Sequence, residues 1–197
     1  MRDQWYSDNR DLVKWGILLT LAERYSSKHI LQVLYYRATD WAQLELDGEQ
    51  VDLPESVVRH FRQAGAVSAI DAPAPIEVIT DTFADRGEYH RIVVSRIRSR
   101  KQSPGIVFLD PDTGLEPRVP ALEHVLDSEL VDLWKELQVG DLLVFYQHQT
   151  NRNGQPWVAP KKEQFERAIG IPAGAAKVAR AETIARDVVF FYTQKAG

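Results

Sequence analysis

Cysteine is absent from the 197-residue sequence and methionine occurs once. The first absence removes disulfides, thiolate zinc sites and a cysteine nucleophile together, so a metal would have to be held by oxygen and imidazole. Long apolar runs are also missing. No stretch approaches the ~20 apolar residues that span a bilayer, and Met1-Arg2-Asp3-Gln4-Trp5 has no apolar signal core. A cytoplasmic location with no membrane partner is the expectation. Positive charge is not in excess either. With a formal net charge of -4, contact with RNA or DNA would depend on a local basic face rather than on the field of the whole molecule. There is no internal repeat, no low-complexity tract, and no Gly-x-Gly-x-x-Gly turn of the kind that admits a dinucleotide phosphate.

What is present is the composition of an ordinary globular chain, 44% hydrophobic and 26% charged, long enough for one substantial core; a single domain over residues 1–197 is expected. Its centre is Gly105-Ile106-Val107-Phe108-Leu109-Asp110-Pro111-Asp112-Thr113-Gly114-Leu115-Glu116. The four apolar residues after Pro104-Gly105 are too few for a helix and suit a strand buried on both faces. Asp110, Asp112 and Glu116 then fall on a turn beyond a carboxyl-terminal strand end, the edge where open α/β sheets bind ligands. Asp-Pro-Asp-x-Gly is equally ordinary turn chemistry, so only its surroundings can give it a function.

Other segments alternate in type. Helical spacing and candidate caps Ser7, Asp8 and Asn9 predict a helix over 10–25, with Leu12, Trp15, Gly16, Leu19 and Ala22 on one face. Arg10 and Lys14 sit in its early turns, where the helix dipole disfavours positive charge, and so suggest an anionic partner; a solvated face is the plainer alternative. Strands are predicted over 30–36, 76–81 and 141–149, and helices from Pro54 (with Val57, Val58 and Phe61), over 88–101, 122–137 and 161–169. Residues 42–53 read as polar and irregular, and two closing strands are predicted at 178–184 and 187–192. If 105–110 and 141–147 run parallel, the Gln147-His148-Gln149 end shares an edge with Asp110, and His148 becomes a candidate ligand or base. Arg91, Arg96, Arg98, Arg100 and Lys101 form the best local face for a nucleic-acid backbone. Arg152 and Trp157 mark a polar loop.

This alternation implies an α/β fold: a single-domain, Rossmann-like, mainly parallel sheet with helices on both faces and an antiparallel closing strand. It resembles the class I methyltransferase fold. Tyr6, Asn9, Asp11 and Lys14-Trp15 look like the start of bacterial ribosomal-RNA adenine N-methyltransferases, and Leu109-Asp110-Pro111-Asp112-Thr113 sits where amino-methylating enzymes carry Asp-Pro-Pro-aromatic. Two departures stand in that motif: Asp112 replaces the second proline and Thr113 the stacking aromatic. The glycine-rich cofactor loop is also missing after the first strand. A Thr/Ser-Asp-x-Arg-Asp-Leu start, the Phe-Leu-Asp-Pro-Asp-x-Gly-Leu-Glu centre and a Tyr-Gln-His strand end also resemble an uncharacterised bacterial group.

The methyltransferase resemblance implies S-adenosylmethionine as cofactor near Asn9, Asp11 and Lys14. It also implies Asp110 at the catalytic position; on that reading Asp112 and His148 join it from the same sheet edge, and Arg98, Arg100 and Trp157 lie towards an RNA or DNA substrate. Two other readings stay open. In one, Asp110, Asp112, Glu116 and His148 ligate magnesium or manganese in a phosphodiesterase or nuclease. In the other, the chain is a catalytically inactive Rossmann-like binding module.

Overall fold

The computed structural model describes residues 9–37, 43–57, 68–100, 103–151 and 154–197. Its elements, in chain order, are α1 (Asn9–Arg24), β1 (Ile30–Val33), β2 (Gln43–Leu46), β3 (Glu49–Asp52), β4 (Ile76–Ile79), α2 (Arg86–Ser99), β5 (Ile106–Leu109), β6 (Gly114–Leu115), β7 (His124–Val125), α3 (Asp127–Glu136), β8 (Leu142–His148), α4 (Val158–Ile169), β9 (Lys177–Ala181) and β10 (Ala185–Gln194). Six strands form one sheet in the order β4-β1-β5-β8-β10-β9. β4, β1, β5 and β8 are mutually parallel, and β10 runs antiparallel to both β8 and β9. This is the Rossmann-like arrangement expected, with its reversed closing strand.

The central strands are largely apolar because helices cover both faces. Ile30, Ile106, Phe108, Val144, Val188 and Phe190 point towards α1, where Val13, Trp15, Leu18, Leu21 and Ala22 meet them. Leu31, Val33, Val107, Leu109, Phe145 and Phe191 point the other way, against Tyr89, Val93 and Ile97 of α2, Leu130 and Leu133 of α3, and Phe165 and Ile169 of α4. Among the described residues no helix is long and apolar enough to cross a membrane.

Several boundaries differ from the sequence expectation for identifiable reasons. β1 stops at Val33 because the chain turns at Tyr35, whose φ is 48°. The Tyr35 ring is gripped by Phe83 and Tyr89 at centroid distances of 5.3 and 5.4 Å, and its N–H donates to Tyr89 Oη at 2.9 Å. β2 and β3 make a hairpin within 42–53, closed by Asp47-Gly48 with both φ angles positive, which is the two-residue Asp-Gly turn that right-twisted strands favour. α3 begins at Asp127 rather than 122: Glu129 Oε2 accepts from the Leu126 N–H and Glu116 Oε1 from the Asp127 N–H, so these two carboxylates fix its start. Residues 55–57 are helical; the rest of the helix expected from Pro54, with Val58 and Phe61, lies outside the described residues, as do Ser7, Asp8 and Arg152.

The buried face of α1 is also rotated from the expected one. Leu12 is 64% exposed and Gly16 is exposed, whereas Asp11 and Lys14 are buried with Val13, Trp15 and Leu18. A lysine and an aspartate can lie on that face only because they meet partners there.

Candidate functional site

Those partners lie at the carboxyl end of the sheet. β5 pairs with β1 and β8 in register Val33↔Leu109↔Phe145, so the next residue, Asp110, emerges between them, and its N–H donates to the Val33 carbonyl at 2.9 Å. β4 lies to one side of β1 and β5 to the other, so the chain's winding reverses between β1 and β5. This switch point is where open α/β sheets form a ligand crevice.

Asp110 is 1% exposed. Its Oδ2 accepts from Lys14 Nζ at 2.8 Å and from Gln32 Nε2 at 2.8 Å, and Lys14 also donates to Asp11 Oδ1 at 2.6 Å. The Lys14 ammonium lies 5.6 Å from the centre of the Tyr146 ring. Burial penalises that ammonium, but the Asp110 and Asp11 carboxylates outweigh the penalty and raise Lys14 above its ordinary range. Burial pushes the Asp110 carboxyl up, and Lys14 opposes the rise. The anionic partner hinted at by Lys14 in the sequence is therefore Asp110, supplied by the chain itself.

Gln32 is the residue that sequence reading missed. It is 2% exposed in the middle of β1, its Nε2 is committed to Asp110, and its Oε1 is buried with no hydrogen-bond partner among the described residues. An unpaired buried carbonyl costs about 1–3 kcal/mol, so its retention calls for an explanation. The visible signal was a glutamine inside an otherwise apolar strand, Ile30-Leu31-Gln32-Val33.

His148 is brought to the same edge and to the same face as α1, but with a different partner. Its Nε2 lies 3.2 Å from Asp187 Oδ2 on β10, and that oxygen also receives Arg10 from the first turn of α1. Burial pushes the Asp187 carboxyl up, while the hydrogen bond and charge of Arg10, followed by the charge of His148, hold it below its usual value. Two polar clusters thus share the first turns of α1, one through Lys14 and one through Arg10. Asn9 is exposed at the first position of the helix.

Asp112 bonds Arg37, beyond the end of β1, and Glu123 lies 3.9 Å from the same guanidinium. Burial pushes the Asp112 carboxyl up, but the bond and charge of Arg37 help bring it below its usual value. Glu116 faces away from Asp110: it caps α3, and its carbonyl accepts from Lys161 and Gln164 of α4, each at 3.0 Å. The metal reading needed Asp110, Asp112, Glu116 and His148 to converge. Instead each is committed to a different partner, and Asp110 already faces an ammonium. Among the described residues no three acidic or histidine side chains are grouped to hold a metal ion.

The expected substrate residues lie elsewhere. Arg100 is buried at the opposite end of the sheet, paired with Asp141 Oδ2 at 2.7 Å just before β8, so it is a structural cation rather than a nucleic-acid contact. Arg98 pairs with Glu136 of α3 and Arg96 approaches Glu77, which reduces the free positive charge of that face. Trp157 precedes α4 and packs on the core of the three-helix face. None of the three joins the Asp110 cluster, whose side chains lie on the α1 face.

Gln147 locks the acidic turn in place. Its Oε1 accepts from the Leu115 N–H at 2.9 Å, and its Nε2 donates to the Thr113 and His148 carbonyls at 3.1 and 2.8 Å. Gly114 allows this approach with φ at 128°; a Cβ there would lie 2.4 Å from the Gln147 amide. Gly114→Ala is therefore expected to destabilise the protein by about 2–3 kcal/mol through overpacking and backbone strain. Urea unfolding would show this as a lower midpoint at unchanged slope.

No protein-family model and no curated protein matches the chain. Its functional reading accordingly rests on the residues and geometry of the switch point.

Proposed function

We propose that the protein is a Rossmann-like, S-adenosylmethionine-dependent N-methyltransferase whose acceptor amine, carried by a nucleic-acid base, is read by Asp110. The observation that supports this most is the position of Asp110: an acidic residue followed by Pro111, at the end of the strand beside the switch point.

The residues at this edge fit a nucleoside-bearing cofactor. Asp81 lies exposed just beyond β4, next to β1, where a carboxylate can accept from ribose hydroxyls. The turn after β1 differs from a glycine loop: Tyr35 is buried and its N–H is taken by Tyr89, so side chains must hold the amino-acid half. When bound, the cofactor supplies an electrophilic methyl group. The role of Asp110 is to accept an N–H of the acceptor and orient its nitrogen lone pair, while burial excludes water and strengthens that contact. Lys14, held by both Asp11 and Asp110, occupies the carboxylate in the absence of an acceptor.

Asp110→Asn keeps the shape and an acceptor oxygen but removes the charge. Methyl transfer from radiolabelled S-adenosylmethionine to single-stranded RNA or DNA is expected to fall by roughly 100-fold or more, the scale on which a positioned acid or base contributes, with cofactor affinity unchanged. Equal turnover by the variant would refute the assignment. A second reading, a non-catalytic binding module, is favoured by one observation, the closure of Asp110 under Lys14 and Gln32. Cofactor binding without transfer to any nucleic acid would support it.

A further inference from the structure

We infer that Gln32 is a substrate-positioning residue, its Oε1 and the Asp110 carboxylate together forming a paired acceptor for a planar primary amino group. The inference rests on the methyltransferase reading for the role of that amino group as methyl acceptor, but the recognition chemistry follows from the two side chains. Gln32 Nε2 is spent on Asp110 Oδ2 at 2.8 Å, which orients the amide and leaves Oε1 as a buried acceptor beside a carboxylate at the switch point. A structural glutamine there would be expected to find a donor for that oxygen, since buried polar atoms are satisfied in the great majority of cases.

A carboxylate and a neighbouring unpaired carbonyl oxygen together match a group that offers two N–H bonds and no lone pair in the plane. An exocyclic amino group or a carboxamide nitrogen has this pattern; a keto oxygen presents the opposite one. The present occupant of Asp110 is another nitrogen donor, Lys14 Nζ, which also holds Asp11 at 2.6 Å. The incoming amino group would take the place of Lys14 on Asp110, and the ammonium would keep Asp11 as its counter-charge. On this view Lys14 is an internal stand-in for the ligand, and the α1 face must give way for the site to fill. Asp112, which occupies the second proline position of the resembled motif, is committed to Arg37, so Gln32 provides the second acceptor instead.

The test uses the full chain with S-adenosylmethionine present and two matched probe pairs, adenosine against inosine and benzamide against methyl benzoate, titrated by calorimetry. At least one amino-bearing probe is expected to bind 10-fold or more tightly than its oxo or ester counterpart. The first pair discriminating points to a nucleobase, and the second to a carboxamide. Gln32→Met, of similar volume, is expected to bring that ratio close to one while leaving S-adenosylmethionine affinity unchanged, an effect that mere packing by Gln32 would not produce. Wild-type protein that binds both members of each pair alike, or a variant that keeps the full ratio, overturns the inference. Should Gln32→Met fail to fold, the wild-type ratios alone decide. Discrimination without any S-adenosylmethionine binding would sustain the paired acceptor and defeat the methyltransferase reading; cofactor binding without discrimination would do the reverse.

Discussion

Lys14→Met is expected to lower stability by about 3–5 kcal/mol at neutral pH, the loss typical of breaking a buried ion pair by removing one partner. Lys14 is almost wholly buried and serves two carboxylates, so its replacement takes this ammonium away from both Asp110 and Asp11. The pH dependence follows from the direction of the Asp110 shift. Burial raises its folded-state pKa above the unfolded one, and Lys14 is the strongest influence opposing that rise. Without Lys14 the native carboxyl binds its proton more tightly still. A raised group contributes stability below its unfolded pKa and loses it as pH climbs through the folded value. The deficit of the variant should therefore shrink on acidification from pH 7 towards about pH 5, approaching the carboxylate range. Guanidinium unfolding at both values measures it. A deficit under about 1 kcal/mol, as for an exposed ion pair, would mean that the cluster opens freely to water.

Asp141→Ala carries a comparable or larger expected cost, about 4–5 kcal/mol, at the opposite end of the sheet. Asp141 is fully buried just ahead of β8 and joins four groups: Arg100 Nη2 at 2.7 Å, the Gly105 and Gln138 N–H groups at 2.9 Å each, and Ser103 Oγ at 3.3 Å. Removing it leaves Arg100 buried without its counter-charge and two backbone donors unpaired. Gly105 is tied into the same knot, since a Cβ there would lie 2.9 Å from Arg100 Nη1. Asp141→Asn retains an acceptor and should lose less. If both variants unfold at the wild-type denaturant midpoint, this pair contributes nothing to holding β5 and β8 together.

The parallel strands were legible because a short apolar run bounded by Pro, Gly or Asp has few other places in a fold; Ile106–Leu109 and Leu142–Phe145 are such runs. The common edge of Asp110 and His148 followed from parallel register alone. Partners distant in sequence were not legible. Lys14 reads as a solvated helix residue until β5 delivers Asp110 beneath it, and Arg100 reads as part of a basic face until Asp141 is seen to fold against it. The hairpin at 43–52 escaped because its strands, Gln43–Leu46 and Glu49–Asp52, lack a sustained apolar alternation, although Asp47-Gly48 was present as a turn signal. Gln32 and Gln147 were visible as polar residues within buried strands. Periodicity alone could not tell which would support the acidic turn and which would leave an oxygen unpaired at the switch point.

The most direct test of the functional account is calorimetric titration of the folded protein with S-adenosylmethionine, run beside Asp110→Asn and Asp81→Asn. The account predicts one saturable site in the wild type, the same affinity in Asp110→Asn, and affinity reduced by roughly 10-fold or more in Asp81→Asn, the scale of a lost hydrogen bond to a charged acceptor. No detectable binding at millimolar cofactor, with folding verified in the same sample, would contradict it.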